Sequence, residues 1–178
     1  MFEKVKQLFN SETVTQAKEL LNKLLDNRVM YIKEKAINLF NSNSQVLYES
    51  HGILSIDISP NGYLFNVDIE REGSHGIGNM KIFCYDLMLA QLWADREISP
   101  GFLIHDSLLF ADVDERQIAL ALELAANEFE DKGIQYICTM NSDNIPHNDF
   151  SEDFNLRDFV SVTLTDSTED GCLFGIRF

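Results

Sequence analysis

Gly101-Phe-Leu-Ile-His-Asp106-Ser107-Leu-Leu-Phe-Ala-Asp-Val-Asp114 is the stretch whose reading decides the fold. Phe102, Leu103 and Ile104 pass through His105 into a carboxylate, directly after the Pro100-Gly101 turn signal. So short an apolar run reads as a strand, buried on both faces as in a parallel sheet. Asp106 then falls at its C-terminal end, where open α/β sheets place their chemistry. Downstream, a helical pattern covers about Glu115 to Asp131, with Ile118, Ala119, Leu122, Leu124, Ala125 and Phe129 as its packing face. Gly133 stops it, and a second apolar strand, Ile134 to Thr139, follows. That spacing accommodates a right-handed crossover, so strands 102–106 and 134–139 are expected to be parallel.

Upstream, Gly73-Ser74-His75-Gly76-Ile77-Gly78-Asn79 has three glycines in six residues, a loop that bends sharply or approaches something closely. A helical pattern follows directly through Ile82, Tyr85, Leu87, Met88, Leu89, Leu92 and Trp93. The early N–H groups and dipole of that helix would make the loop an anion site; a purely structural turn is the alternative. The loop is neither a dinucleotide fingerprint nor a P-loop, whose lysine it lacks. Further upstream, Leu54, Ile56 and Ile58 alternate, as do Tyr63, Phe65, Val67 and Ile69, around the turn Ser59-Pro60-Asn61-Gly62. They predict an antiparallel hairpin.

Residues 1–50 are helical in pattern, with a new start near Ser11 and a weak interruption at Asn27. They form either helices folded onto the domain or the base of a stalk. Residues 51–178 form the α/β domain. Its end contains a polar, acidic stretch, 142–158, read as a solvated loop rather than a metal cluster. Phe159 to Leu164 and Cys172 to Phe178 are expected to be two closing strands around the Asp166–Gly171 turn.

With 178 residues, 45% of them hydrophobic, the chain can bury a real core. Its net charge of −15, from 14 basic and 29 acidic residues, disfavours stand-alone nucleic-acid binding and leaves DNA held by a partner open. Neither a membrane span nor a signal peptide is expected. Cys84, Cys138 and Cys172 read as buried free thiols of a cytoplasmic protein.

The order of hairpin, Ser/Gly loop opening a helix, strand ending in Asp, second Asp and strand ending in a polar residue resembles a known arrangement. It is similar to the C-terminal half of the ABC-type ATPase head of structural-maintenance-of-chromosomes (SMC) and RecN-type proteins. Gly101-Phe-Leu-Ile-His-Asp-Ser with Asp112-Val-Asp-Glu-Arg-Gln more narrowly resembles the bacterial domain of unknown function family 2326, found in SMC-like proteins, some of ABC three-component systems linked to phage defence. The resemblance implies an α/β head half, a sheet flanked by helices, with an N-terminal stalk base that would match the end of a coiled-coil arm.

Carried onto this chain, the resemblance puts Ser74, His75 and Gly76 on the signature loop, which contacts the γ-phosphate held by the opposite head. Gly73 and His75 depart from the usual pattern there, and the acidic residue closing the motif is missing. Asp106 falls on the Walker B aspartate that orients Mg²⁺. Ser107 stands where the catalytic glutamate belongs, and a hydroxyl is a poor general base. Asp114 falls on the D-loop aspartate, with one extra residue before it, and Asn141 lies near the switch histidine. A capping role is the alternative for Asp106, and His105 reads as a hydrogen-bonded core residue. No Gly-x-x-x-x-Gly-Lys-Ser/Thr occurs.

ATP and Mg²⁺ are therefore implied for a complete assembly, with a Walker A lobe in cis or trans and homodimerising heads. Tight ATP binding by this chain alone is not expected. The rival readings are a non-catalytic protein-interaction module, which Ser107 and the missing P-loop favour, and a hydrolase, for which no nucleophile elbow is present.

Overall fold

The computed structural model describes residues 11–49, 52–69, 75–94, 96–130 and 132–175. The first element, α1 (Ser11–Tyr48), is one unbroken 38-residue helix, so Asn27 does not interrupt it. Asn lowers helix propensity by only a fraction of a kcal/mol, about 0.7 at most, too little to break a long helix. Along its first half Leu20, Leu21, Leu24, Leu25 and Tyr31 are exposed. Its second half enters the core through Ala36, Phe40 and Leu47, with Asn43 and Ser44 buried beside them.

Strands β1 (Ile53–Ser59) and β2 (Gly62–Asp68) pair antiparallel, Ser59 opposite Gly62, as the turn signal predicts. Leu54 and Ile69 bury the base of the hairpin, while Tyr63 and Phe65 toward its tip are exposed. Helix α2 (His75–Ala94) buries Met80, Phe83, Cys84, Leu87 and Met88 and packs against α1. Strand β3 (Phe102–His105) and strand β4 (Gln135–Cys138) are parallel, from Phe102 opposite Gln135 to His105 opposite Cys138. Helix α3 (Glu115–Phe129) connects them. The strand–helix–strand unit is the one that the spacing predicts.

A polar relay that runs from the core to the surface links the three helices. Asn43 Nδ2 donates to Gln91 Oε1 at 3.0 Å, and Gln91 Nε2 donates to Glu128 Oε2 at 2.7 Å. Lys132 Nζ completes the relay by donating to the same Glu128 oxygen at 2.6 Å. Burial by itself would raise the Glu128 pKa. The hydrogen bonds from Lys132 and Gln91, with the Lys132 charge, outweigh it and hold the carboxyl below its ordinary value.

Three expectations are corrected. Strand β3 is covered on one face only: Leu103 packs on the core and His105 is buried, but Phe102 and Ile104 are each 54% exposed. Alternate residues of a strand point to opposite faces, and the helices cover only one side of this two-stranded sheet. The closing strands are absent among the described residues. A 3₁₀ turn, Leu156–Phe159, leads into the first, and 160–165 and 172–175 carry no strand. The turn between them does form, Thr165 N–H donating to Gly171 O at 2.9 Å. Strand propensity needs a neighbouring edge to become a ladder, and neither segment has one among the described residues; 176–178, the end of the second, lie outside them. Finally, only Cys84 is fully buried; Cys138 and Cys172 are partly exposed.

Candidate functional site

Two segments singled out in the sequence meet at the start of α2. Gly76, in its first turn, is buried against the turn at Asp112 and Val113, where any side chain would run into the Asp112 carbonyl oxygen. Asp112 itself has φ +58°, a left-handed conformation that suits Asp and Asn better than most residues. One turn further along α2, Asn79 Nδ2 donates to Ala111 O at 2.9 Å and, more weakly, to Leu108 O at 3.4 Å. The helix start is thus fastened to the loop that leaves β3. The close approach expected of the glycine loop is made by Gly76, and what it approaches is backbone.

Asp106 lies immediately after β3, exposed, and its Oδ1 accepts from Leu108 N–H at 3.0 Å. It caps the 3₁₀ turn Ser107–Phe110, whose first residue is Ser107 and whose Phe110 is buried. Asp114 caps α3 in the same way, Oδ1 accepting from Arg116 N–H at 3.1 Å. Both carboxylates are therefore held in one orientation by backbone N–H groups. Asn141 is exposed just beyond β4 and makes no side-chain cap to the 3₁₀ turn Ser142–Asn144. Its segment is tied to the end of β3 by Thr139 N–H donating to His105 O at 3.1 Å. His75 is exposed at the first position of α2. Ser74 lies outside the described residues.

Beneath this surface is an arrangement built on His105. Its Nε2 lies 3.3 Å from Asp86 Oδ2 on α2, and its Nδ1 lies 3.1 Å from the Tyr136 hydroxyl on β4. A carboxylate only accepts, so Nε2 carries a proton; in the neutral ring Nδ1 then accepts from Tyr136 O–H. Burial pushes the Tyr136 hydroxyl well above the ordinary tyrosine range, which keeps it a donor. Phe83 and Tyr136 close over the imidazole, with ring centroids 5.6 and 5.5 Å away. His105 is the hydrogen-bonded core residue expected of it, and its bonds join α2, β3 and β4 just below Asp106.

Cys138 belongs to the same neighbourhood. Burial pushes its thiol up to about 11, opposed by a hydrogen bond with Tyr136 and reinforced by the negative charge of Asp106. A thiol so raised is protonated at neutral pH and is a weak nucleophile. Among the described residues no group of three His, Cys, Asp or Glu side chains could hold a metal ion. What Asp106 can offer a cation is a single fixed carboxylate, enough for Mg²⁺ that arrives with phosphate oxygens and water, and too little for a cage of protein ligands.

Sequence reading did not single out Asn79 or Asp86. Asn79 sits on a helix whose partners are carbonyls some thirty positions away, which no local pattern reveals. Asp86 had one available signal, a lone carboxylate between the apolar positions Tyr85 and Leu87 of the helix.

These features define an α/β domain in which one helix start is fastened to the acidic loop at the end of a parallel strand. Residues 43–178 match the family described as uncharacterised protein conserved in bacteria (DUF2326), and the chain belongs to that family. No curated protein matches the chain. No described helix is long and apolar enough to cross a membrane.

Proposed function

We propose that this chain is the C-terminal lobe of an SMC-like ATPase head of the ABC type. In this reading it supplies a signature-like loop and a Walker B-like aspartate for ATP-dependent dimerisation. It is incomplete without a lobe bearing a phosphate-binding loop, in cis or in trans. The observation that carries the reading is the junction of the α2 start with the Asp106–Asp114 loop through Gly76 and Asn79. That junction supports one surface presenting helix N–H groups and carboxylates together, the chemistry of nucleotide phosphate with Mg²⁺.

Within the reading, Asp106 holds Mg²⁺ in its own head, while Ser74, His75 and Gly76 meet the γ-phosphate of the opposite one. Mg²⁺, when bound, neutralises charge on the β- and γ-phosphates. Asp114 lies at the dimer contact, and Asn141 orients water or phosphate through its amide. Ser107 offers no carboxylate to activate water, so turnover is slow or absent. The exposed leucines on the first half of α1 support the stalk-base role, since a second helix would cover them. The setting in a three-component defence system belongs to the same proposal.

The interaction-module reading is favoured by one observation: Asp106 and Asp114 already serve as caps, a structural reason for both carboxylates. Sedimentation of the reconstituted head separates the two readings. The ATPase reading expects ATP-dependent dimers for the unaltered protein, weakened Mg²⁺-dependent nucleotide binding for Asp106→Asn, and blocked dimerisation for Ser74→Arg. Equal association of all three proteins with and without ATP would leave the interaction module as the answer.

A further inference from the structure

Residues 159–175 hold a built turn, Thr165–Gly171, between two segments that form no strand. The tip is well made. Thr165 N–H donates to Gly171 O, Ser167 N–H donates to Thr165 Oγ1 at 3.2 Å, and Gly171 N–H donates to Thr168 O at 3.2 Å. A side chain at Gly171 would collide with Thr165. The base is fastened as well. Phe150, Phe154 and Phe159 stack at centroid distances of 5.1 and 5.0 Å, Phe150 packs on the core, and Ser151 N–H donates to Glu123 Oε1 on α3.

Between base and tip, Phe159-Val-Ser-Val-Thr-Leu164 is rich in strand formers and forms no strand. In an extended chain Val160, Val162 and Leu164 fall on one side, and they are 49, 64 and 49% exposed; Leu173 and Phe174, in a tight turn closed by Gly175 N–H donating to Cys172 O at 3.0 Å, are 65 and 74% exposed. Apolar surface gathered in this way on a polar domain marks an interaction site.

We infer that the arm 159–164 is a docking strand that pairs with the free sheet edge of a basic protein partner. Charge selects that occupant. From Ser142 to Phe178 the sequence has eight carboxylates, all exposed, against two arginines, Arg157 and Arg177. With a net charge of −15 for the chain, a nucleic acid is repelled, and the same segment of a second copy would bring the same carboxylates to this arm. A lysine- or arginine-rimmed edge strand instead supplies the ladder partners, sets its own apolar side chains beside Val160, Val162 and Leu164 on one face, and meets the acidic rim. The inference needs no nucleotide and stands or falls separately from the ATPase reading.

The test is hydrogen–deuterium exchange on the full chain. The probe is an end-capped octapeptide of alternating lysine and valine; the controls are its glutamate–valine counterpart and a version with a central proline. Alone, the 161–164 amides should exchange far faster than those of β1–β4. The lysine peptide should slow them about tenfold or more, whereas neither control should. Thr163→Pro removes one backbone donor from an exposed position, so it should abolish that protection and leave the melting temperature in place. The inference is overturned by an absence of protection, or by equal protection from the glutamate peptide. Protection that grows with protein concentration and no peptide would also overturn it, making a second copy the occupant.

Discussion

The body around α2 and the segments on either side of the Thr165–Gly171 turn contain similar residues in opposite circumstances. Phe83 and Leu87 lie among aromatic and aliphatic neighbours, fully buried, whereas Val162 and Phe174 are mostly exposed. The polar groups differ in the same way. Asn43, Gln91 and His105 are buried and each has a partner on another element. Along 161–164 the side chains are exposed and the strand pattern is unused. Apolar composition alone therefore does not make a core; a surface must be there to receive it. The body has three helices that supply that surface to one another, and the segments flanking the C-terminal turn have none within the described residues.

The sharpest way to break this contrast is to remove apolar volume from each side. Phe83→Ala should destabilise the fold by about 3–5 kcal/mol, because lost transfer energy and a residual cavity add. Val162→Ser, with nothing to uncover, should stay within about 0.5 kcal/mol of the unaltered protein. Urea denaturation monitored by circular dichroism would measure both. A comparable loss for Val162→Ser would mean that the arm is packed after all.

Two glycines of α2 make a smaller and more local comparison. Gly76 is buried against the Asp112 carbonyl, while Gly78 is exposed with open space where a side chain would go. Gly76→Ala should cost about 1–3 kcal/mol as backbone is forced apart. Gly78→Ala should instead stabilise by about 0.5–1 kcal/mol, since alanine loses less entropy in a helix. Opposite signs in thermal melts of the two variants would establish that the helix start is fastened to the acidic loop.

Alkaline pH probes the buried side alone. Burial pushes Cys84 up to about 12 and Cys138 up to about 11, and it pushes the Tyr48 hydroxyl above its ordinary range. The folded state therefore holds these protons more tightly than the unfolded chain does. The associated stability is complete below the unfolded thiol pKa, near 8.5, and is lost as pH rises toward 11 and 12. Denaturation midpoints should fall steadily over that window, and Cys138→Ala should flatten the decline. A midpoint independent of pH there would mean that the thiols are open to water.

Much of the body was legible because its signals are local. The apolar run before Asp106, the helical period from Glu115 and the stop at Gly133 lie within forty residues, and together they predict the parallel unit that forms. The turn at Pro60-Asn61 is equally local. The second face of β3 was misread because Phe102 and Ile104 are apolar whether or not a layer covers them. Phe159 to Leu164 and the described part of the second closing strand, 172–175, form no ladder for a related reason: β-propensity describes the residue, and a ladder requires a neighbour. In the site, two uses of one residue type look alike in sequence. A carboxylate after a strand serves equally as a cap and as a cation ligand, and the bond that Asp106 makes to Leu108 shows the first use only.

The smallest expected effect separates those two uses. Asp106 caps the turn through one carboxylate oxygen, and an asparagine amide oxygen accepts from the same N–H about equally well. Asp106→Asn should therefore leave the stability within a few tenths of a kcal/mol. Asp106→Ala removes the acceptor and should cost about 0.5–1 kcal/mol, the low end for a cap, because the turn is short and the carboxylate exposed. Asparagine also removes the negative charge that helps to raise Cys138, so alkylation of that thiol at high pH should quicken slightly in the Asn variant. If the charge has a use beyond capping, Asp106→Asn keeps the fold and loses Mg²⁺-dependent binding in the complete assembly. If capping is the whole of its use, only Asp106→Ala has a phenotype. Thermal melts and Mg²⁺-dependent nucleotide titrations of the two variants, taken together, distinguish these outcomes.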